Sequence, residues 1–236
     1  MDAEELLRRY AAGEREFVGV NLSGANLNNA NLREANLDCA ELIGVDLSSA
    51  ELSGTGLGSA QLIGANLSGA NLREAWLNSA NLTAANLSLA CLEKADLGAA
   101  DLTDANLSLA CLRNGFLSRI DCTRTNLSGA DLSFCDITEA GFDLAILIGA
   151  NLSNTMLHQT GFDGSDLTGA NFSGAILDET SFTRANLSNA NLMGVKPEPS
   201  LMTNRLRLLG NGFEDAILCN TIMPDGSIRN DGCRHQ

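Results

Sequence analysis

Seven cysteines and two histidines are the residues of this 236-residue chain that could bind a metal ion or carry out redox chemistry. Zinc sites and dithiol redox sites are typically marked by short spacings such as CxxC. No two cysteines of this chain have that spacing, and the histidines, His158 and His235, lie far apart along the chain. The residues therefore predict no metal site and no cofactor.

Two pairs of cysteines have positions that predict their state. Cys91 and Cys111 are 20 residues apart in two copies of one segment, so we expect them to stack on neighbouring turns of the chain, close enough for a disulfide in principle. We expect free thiols there, because a reducing cytoplasm keeps cysteines reduced. Cys122 and Cys135 occupy apolar positions of the repeat described below, which predicts buried thiols packed as small apolar residues.

Residues for catalysis are equally sparse. The glycine-rich segment that begins at Gly54 (GTGLGSA) resembles a nucleotide-binding loop in spacing, but its glycines follow the repeat and it opens no helix. Carboxylate pairs such as Glu34 and Glu74 imply no cleft. An enzyme was one hypothesis for this chain, but no nucleophile, base and orienting group can be assigned together, so we expect no enzymatic activity.

A repeat of five residues must position all of these side chains. From Phe17 to Leu192 every fifth residue is a ladder residue, and of these 36 positions 29 are Leu, five are Phe, one is Ile137 and one is Cys122. A second column, two residues before each ladder residue, runs from Val20 to Ala190 and is Ala at 24 of 35 positions. Residues five apart do not stay on one face of a helix or of a strand, so neither regular element explains the pattern.

Each unit of the repeat combines a short extended piece with a bend. Its two apolar residues are two apart, which is strand spacing, and the residues after the Leu, such as Ser23 and Gly24, are typical of turns. Repeated bending in one sense winds the chain into a coil in which each unit contacts only its neighbours. The segment NLSLACL at 86–92 recurs unchanged at 106–112, which predicts four units per turn.

The pattern A(N/D)Lxx, seen in GANLNNANLREANL and again in SGADLS, resembles the signature of the pentapeptide-repeat family over about three quarters of the chain. The resemblance implies an all-β fold, a right-handed four-sided β-helix whose ladder residues point inward. Departures at Gly115, Ile120, Cys122 and Cys135 concern only local packing. In that geometry 36 units make nine coils, and at a strand spacing of about 4.8 Å the rod is roughly 43 Å long.

The first part of the chain, residues 1–16, precedes the repeat and has a helical pattern. Asp2 followed by Glu5 fits a capping box, an apolar stripe follows, and Gly13 is a plausible stop. We predict a short α-helix that caps the first coil, since the ends of such coils need covers. A helix that binds a partner is the alternative.

The repeat domain is predicted over 17–195, and two prolines in 196–207 then predict a loop. Residues 208–236 predict a last coil or a strand-like cap, with a frayed tail over Arg229–Gln236. Apolar residues return there at intervals of five, one residue out of phase, at Leu208, Phe213, Leu218, Met223 and Ile228.

The formal net charge of −14 decides which partners we expect. It would repel nucleic acid and anionic membrane surfaces. The chain has no run of 18 apolar residues and no signal-like apolar segment near its first residue. We therefore expect a soluble, cytoplasmic monomer with a protein partner and with no direct binding to nucleic acid or membranes.

Outward residues of neighbouring coils recur at intervals of 20, so outward columns can be read from the sequence. One column predicts side-chain hydrogen bonds along the stack: Asn66, Asn86, Asn106 and Asn126. Another has large apolar residues where Asn or Asp is usual, and with its neighbours it predicts an apolar, partner-binding patch of five residues: Trp76, Leu89, Leu109, Phe116 and Phe134. The alternative is that these side chains fold back onto their own coils or only tolerate exposure.

Once the enzyme hypothesis is set aside, two hypotheses for function remain. The segments ELLRRYAAGEREF and IMPDGSI resemble the flanks of a cyanobacterial subgroup of the family that acts in heterocyst differentiation, which implies a regulatory protein that binds a regulator of differentiation. The other hypothesis is an acidic mimic of DNA, as in family members that bind DNA gyrase. Those members dimerise through a C-terminal helix, whereas Pro224, Asp225 and Gly226 stand where that helix would be needed, and arginines interrupt the acidic residues.

Overall fold

The computed structural model describes residues 1–196 and 212–233. These residues form one helix and four strands, in the order α1 (Ala3–Ala11), β1 (Met156–His158), β2 (Ile176–Asp178), β3 (Leu218–Ile222) and β4 (Ile228–Asp231). The predicted loop over 196–207, apart from its first residue, lies outside the described residues, as do Leu208 and the last three residues of the predicted tail.

Helix α1 begins and ends as its residues predict. Asp2 is the N-cap, and its carboxylate accepts the backbone N–H of Glu5 at 2.8 Å, which satisfies one of the free N–H groups of the first turn. The Glu5 carboxylate binds Arg8 instead of reaching back to the cap. The chain leaves the helix at Gly13, whose φ of +98° lies in a region that favours glycine. Leu6 is fully buried against the end of the core.

The repeat forms a coil with 20 residues per turn. Residues 20 apart pair in parallel along the whole series, from Glu16 with Asn36 to Ile176 with Lys196. The N–H of each ladder residue donates to the next coil, as Leu67 does to the Asn86 carbonyl at 2.7 Å. The predicted four units per turn are therefore confirmed. Each unit contributes so short an extended piece that only β1 and β2 are long enough to count as strands, paired at Leu157 and Leu177.

The core is the column of ladder residues. All 36 are buried, and the most exposed of them, Leu177, has only 5% of its surface accessible. Towards the C-terminal end the column becomes aromatic: the ring centroids of Phe142, Phe162, Phe182 and Phe213 follow one another at 4.9, 5.3 and 5.1 Å in stacked pairs. Large apolar side chains buried at every coil supply the stabilisation that a globular core gives elsewhere.

Polar residues in the second column keep a hydrogen bond inside the coil. The buried hydroxyls of Thr55 and Thr125 donate to ladder carbonyls one coil earlier, at 2.9 and 2.7 Å. These bonds remove the cost of burying a hydroxyl. Gly115 is required by its neighbours, because a Cβ there would lie 2.8 Å from a backbone oxygen of Leu112.

Strand β3 continues the coil, and β4 covers it. Ile217 and Ile222 pair in parallel with the last repeats, whereas β4 runs antiparallel to β3. A disulfide joins Cys219 to Cys233, with Cα atoms 4.9 Å apart. Residues 229–231, predicted as part of a frayed tail, are therefore the end of a paired strand. Of the apolar series predicted here, Phe213, Leu218 and Met223 contribute to the interior, whereas Ile228 is exposed on β4.

Candidate interaction surfaces

The coil has four faces, which we number by the residues that begin their pentapeptides. The first face begins at residues 16, 36 and every twentieth residue onward, the second at 21 and 41, the third at 26 and 46, and the fourth at 31 and 51. Each pentapeptide exposes the residue before the ladder residue and the two after it. The second of those two lies at the corner between faces with a positive φ, as Leu89 (+61°) and Gly149 (+66°) do.

The first face carries Trp76 and Phe116, each with 59% of its surface exposed. Both occupy the position that is usually Asn or Asp. They are two coils apart, because Asp96 lies between them and pairs with both backbones. Met156, 43% exposed, continues the column. At this exposure the side chains are not covered by their own coils, so a partner-binding role and tolerated exposure are the two interpretations left.

The other three residues of the predicted patch lie elsewhere on the rod. Leu89 and Leu109, 64% and 62% exposed, are neighbours at the corner between the third and fourth faces. Phe134, 52% exposed, lies at the corner between the fourth and first faces. The fourth face separates the two groups, so the five residues do not form one continuous patch. The prediction of a single patch fails because chain proximity was taken for proximity around the coil.

Charged residues fill the face that divides them. Arg73 pairs with Glu93 across neighbouring coils, and Arg113 lies 3.8 Å from Asp131. These ion pairs are largely exposed and contribute little to stability. They do make the fourth face hydrophilic between its two apolar corners.

The third face carries an apolar cluster that sequence reasoning missed. Leu144, at its corner with the second face, and Ile146 and Ile148 are 59%, 41% and 44% exposed. They lie in one stretch, LAILI, in which two residues replace the usual Asn and Ser. The signal was present in the sequence: a search of the columns of this face for apolar residues in place of Asn or Ser would have found them.

The third face is also nearly uncharged. Over residues 26–189 it has no Lys or Arg and only two carboxylates, Asp46 and Asp166. The predicted Asn ladder runs along it: the Asn66 amide donates to Asp46 at 3.0 Å, and Asn86 donates to Asn66 at 3.3 Å. Hydrogen bonds from Ser48 to the Asp46 carboxylate, followed by the bond from Asn66, lower the pKa of Asp46. This column is therefore held by bonds within the chain.

The first and second faces hold most of the carboxylates of the rod. Between residues 16 and 195 they carry three arginines, Arg119, Arg124 and Arg184, against 13 carboxylates: Glu16, Asp38, Asp96, Asp136, Glu139, Asp178 and Glu179 on the first face, and Glu41, Asp101, Asp104, Asp121, Asp143 and Asp163 on the second. The positive charge belongs mainly to the fourth face. The acidic residues are therefore less mixed with arginines than chain order indicates.

Two of these carboxylates contact a basic side chain of a neighbouring coil. Asp104 accepts two hydrogen bonds from the Arg124 guanidinium, each at 2.7 Å, and this contact lowers the pKa of Asp104. Asp178 lies 2.6 Å from Nδ1 of His158. Among the described residues no group of His, Cys, Asp and Glu is arranged to hold a metal ion.

The cysteines fall into three classes. Cys122 and Cys135 are buried, as predicted, and burial raises the pKa of Cys135 to about 12, so these thiols stay protonated and packed. Cys91 and Cys111 are free, as predicted, and Cys39 is free and exposed. The disulfide of the C-terminal hairpin was not predicted, although its two cysteines flank the turn signal PDG at a separation of 14 residues.

Comparison with known proteins shows which family shares this repeat. A family model described as pentapeptide repeats matches eight segments, at residues 16–54, 60–98, 80–119, 105–143, 117–154, 125–164, 142–174 and 162–196. The chain belongs to the pentapeptide-repeat family. Membership of this family implies the right-handed β-helix that the sequence resemblance predicted. A comparison with curated proteins found no match.

Several solved pentapeptide-repeat structures are similar to the chain. HetL, a protein involved in heterocyst differentiation regulation in the cyanobacterium Nostoc sp. strain PCC 7120, is 34% identical, with 97% of this chain and 100% of HetL covered and a TM-score of 0.43. A trypsin-treated form of QnrB1, a plasmid-mediated fluoroquinolone resistance protein, is 20% identical over 78% of this chain and 92% of its own, with a TM-score of 0.42. Rfr23 from the cyanobacterium Cyanothece 51142 is 30% identical over 56% of this chain and 98% of its own, with a TM-score of 0.20.

The described residues contain no helix of the length and apolarity that a membrane crossing requires.

Proposed function

We propose that this protein is a non-enzymatic interaction module whose first face binds a protein partner. The observation that carries the proposal is the exposure of Trp76 and Phe116 at a repeat position that is otherwise polar. Trp is the residue type most enriched among side chains that dominate binding energy at protein interfaces. Burying such a side chain beneath a partner removes a large apolar surface from water.

The coil makes this face a rigid platform. The backbone N–H of Trp76 donates to the Thr55 carbonyl of the preceding coil at 3.0 Å, and the carbonyl of Trp76 accepts from Leu57 at 2.7 Å. A residue whose backbone N–H and C=O groups are both fixed in this way loses little backbone entropy on binding. Asp96 and Asp136 alternate with the two aromatic residues, so the fitting partner has an apolar surface edged by Lys or Arg.

We propose further that the partner is a regulator of cell differentiation in a cyanobacterium. The support is the 34% identity to HetL over nearly the whole chain, together with the involvement of HetL in heterocyst differentiation regulation. The cytoplasm is the proposed location. Thiol alkylation and mass spectrometry of the protein taken from its cells test this location, because a reducing cytoplasm should leave Cys219 and Cys233 as thiols.

The binding proposal is tested by capture from a cyanobacterial lysate. The variant Trp76→Asp, Phe116→Asp should lose a protein that wild type retains, because each aspartate places a charge in the apolar contact. The matched control is Gln61→Glu, Asn81→Asp, which adds two charges on the second face and should retain the partner. Circular dichroism checks that both variants are folded. Equal capture by wild type and the first-face variant contradicts the proposal.

A second candidate function rests on the carboxylates of the first and second faces. An acidic rod can occupy a protein site that binds DNA, and the 13 carboxylates counted above support this. A DNA duplex of about 43 Å carries roughly 25 charges, at one charge per ~1.7 Å. The rod carries about half of that number, which is why this candidate ranks second. Inhibition or protection of DNA gyrase in a supercoiling assay would support it, and no effect at a large excess of protein would reject it.

A further inference from the structure

The third face differs from the other faces in having almost no charge. The rest of a chain of net charge −14 would repel a second copy, whereas the pentapeptides of this face carry two carboxylates and no Lys or Arg. Its corner with the second face adds three charges, Asp104, Arg124 and Arg184. The face with this corner exposes five large apolar side chains. Those five side chains are Leu89, Leu109, Leu144, Ile146 and Ile148. The surface that is least repelled by another copy of the chain therefore also exposes apolar side chains that a second copy could cover.

In place of the monomer expected from the sequence, we propose that the third face binds the third face of a second copy, with the two rods antiparallel. The two-fold axis lies in the interface, perpendicular to the rods, between the coil of Leu109 and the coil of Gly129. In that arrangement each outward column faces the same column of the other copy running in the opposite direction. Residues equally distant from the axis then oppose each other, so the sequence of each column shows whether it is self-complementary.

The column at the corner with the fourth face is self-complementary. In chain order it contains two leucines, Leu89 and Leu109, followed by three glycines, Gly129, Gly149 and Gly169. Around the axis Leu89 opposes Gly149, where no heavy atom of the described residues lies within 4 Å of the place a Cβ would take. Leu109 folds over Gly129 of its own chain, with Cδ2 2.8 Å from the equivalent Cβ position, so the two Leu109 side chains meet near the axis.

The corner column towards the second face is complementary in charge and in size. Asp104 of one copy opposes Arg124 of the other, so the two Asp104–Arg124 pairs of the dimer join into one network of four alternating charges. Leu144 opposes Ala84, which leaves room for the larger side chain. A closed two-fold interface needs this self-complementarity, since the same patch serves both subunits.

The two carboxylates of the face also find partners. Asp166 opposes Asn66, and Asp46 opposes Asn186, so each carboxylate faces an amide that can donate a hydrogen bond. A carboxylate facing another carboxylate across the interface would oppose association. The register that pairs leucines with glycines therefore also avoids that repulsion.

The size of the face predicts a weak dimer. Eight coils overlap in this register, which gives a contact ~38 Å long and about 10 Å wide, on the order of 800 Å² for both copies together. This is below the usual size of stable interfaces and is typical of weak complexes. We expect dissociation in the micromolar range.

Sedimentation velocity of the full chain over about 5 to 300 μM, which brackets that range, tests the proposal. Wild type should move from a species of 24.8 kDa to one of twice that mass. The variant Leu89→Asp, Leu109→Asp should have a dissociation constant raised at least tenfold, about the effect of losing one interface hot spot. The matched control, Trp76→Asp, Phe116→Asp, adds the same charge to the first face and should dimerise like wild type. A wild type that stays monomeric, or a dimer lost in the control and kept in the third-face variant, overturns the proposal.

A charge exchange tests the antiparallel register. Asp104→Arg alone and Arg124→Asp alone each place like charges opposite each other, so both should dimerise several-fold more weakly than wild type. An equimolar mixture of the two variants should form a mixed dimer, because every like pair across the interface then becomes an opposite pair. A mixture no tighter than either variant alone contradicts the register.

Discussion

The first and third faces rest on the same ladder of buried residues and differ in what surrounds their exposed apolar side chains. On the first face, Trp76 and Phe116 are separated by Asp96 and share the face with many carboxylates. On the third face, Ile146 and Ile148 lie in one pentapeptide of an almost uncharged surface. Two opposite surfaces of one repeat can thus favour different partners, because the charge around an exposed apolar side chain determines which partner surface can approach it.

The largest expected effect tests whether the two faces share one core. Leu107 lies beneath the third face and Leu97 beneath the first, and both are fully buried. Replacing either by Ala should lower the free energy of unfolding by about 2 to 5 kcal/mol, since stacked coils cannot collapse into the cavity. Urea denaturation measures both, and Ser108→Ala is the control that should cost almost nothing. Equal losses at Leu107 and Ser108 would contradict the assignment of inward and outward positions.

The second-largest expected effect comes from removing the disulfide at the C-terminal end of the third face. Cys219 lies on the last turn of the third face, where the disulfide ties β3 to the residues after β4. Compared with the disulfide-bonded protein, the variant Cys219→Ser, Cys233→Ser opens a loop of about 15 residues, for which chain entropy predicts a loss of about 3 kcal/mol. Hydrogen exchange should become faster at Thr221, in β3, and stay unchanged at Phe116. Equal acceleration at both amides would show that the disulfide does not act on the cap alone.

Surface substitutions should change binding and leave folding intact. The first-face variant Trp76→Asp, Phe116→Asp and the third-face variant Leu89→Asp, Leu109→Asp replace side chains that are more than half exposed. Each should keep the free energy of unfolding within about 0.5 kcal/mol per substitution. Thermal denaturation of dilute protein checks this. A large loss in one variant only would mean that its face supports the fold as well as a partner.

The smallest effect concerns the ion pair at the border of the third face. The hydrogen bonds from Arg124 hold the pKa of Asp104 below its ordinary value. A carboxyl whose pKa is depressed in the folded state contributes stability above its unfolded pKa, and that contribution is lost as the pH falls through the folded pKa. NMR titration should show the Asp104 midpoint rise in Arg124→Gln. The midpoint of Asp46, set by Ser48, should not move, and a shift there would show a change beyond the pair.

The inward side chains and the length of each coil could be predicted from the sequence. A period of five with a large residue and Ala two apart fixes which side chains point inward, and the repeated NLSLACL segment fixes the coil length. The cap of α1 was also readable, since Asp2 and Gly13 act through local backbone geometry. These features depend only on residues close in the chain or one coil apart.

The grouping of the outward side chains on the surface was harder to predict, because it depends on which face of the coil each residue occupies. Leu109 and Phe116 are seven residues apart in the chain, yet the fourth face lies between them. The cluster at Ile146 and Ile148 was missed because the first-position column of the third face was followed only along its Asn residues, from Asn66 to Asn126. The disulfide was missed because Cys219 and Cys233 come together only when β4 folds back along β3.

Capture of a partner by wild type and by both double variants tests the central claim most directly. The account predicts that a protein held by wild type is lost by Trp76→Asp, Phe116→Asp and kept by Leu89→Asp, Leu109→Asp, because partner binding belongs to the first face and self-association to the third. If the third-face variant loses the partner and the first-face variant keeps it, the division of roles between the two faces is wrong.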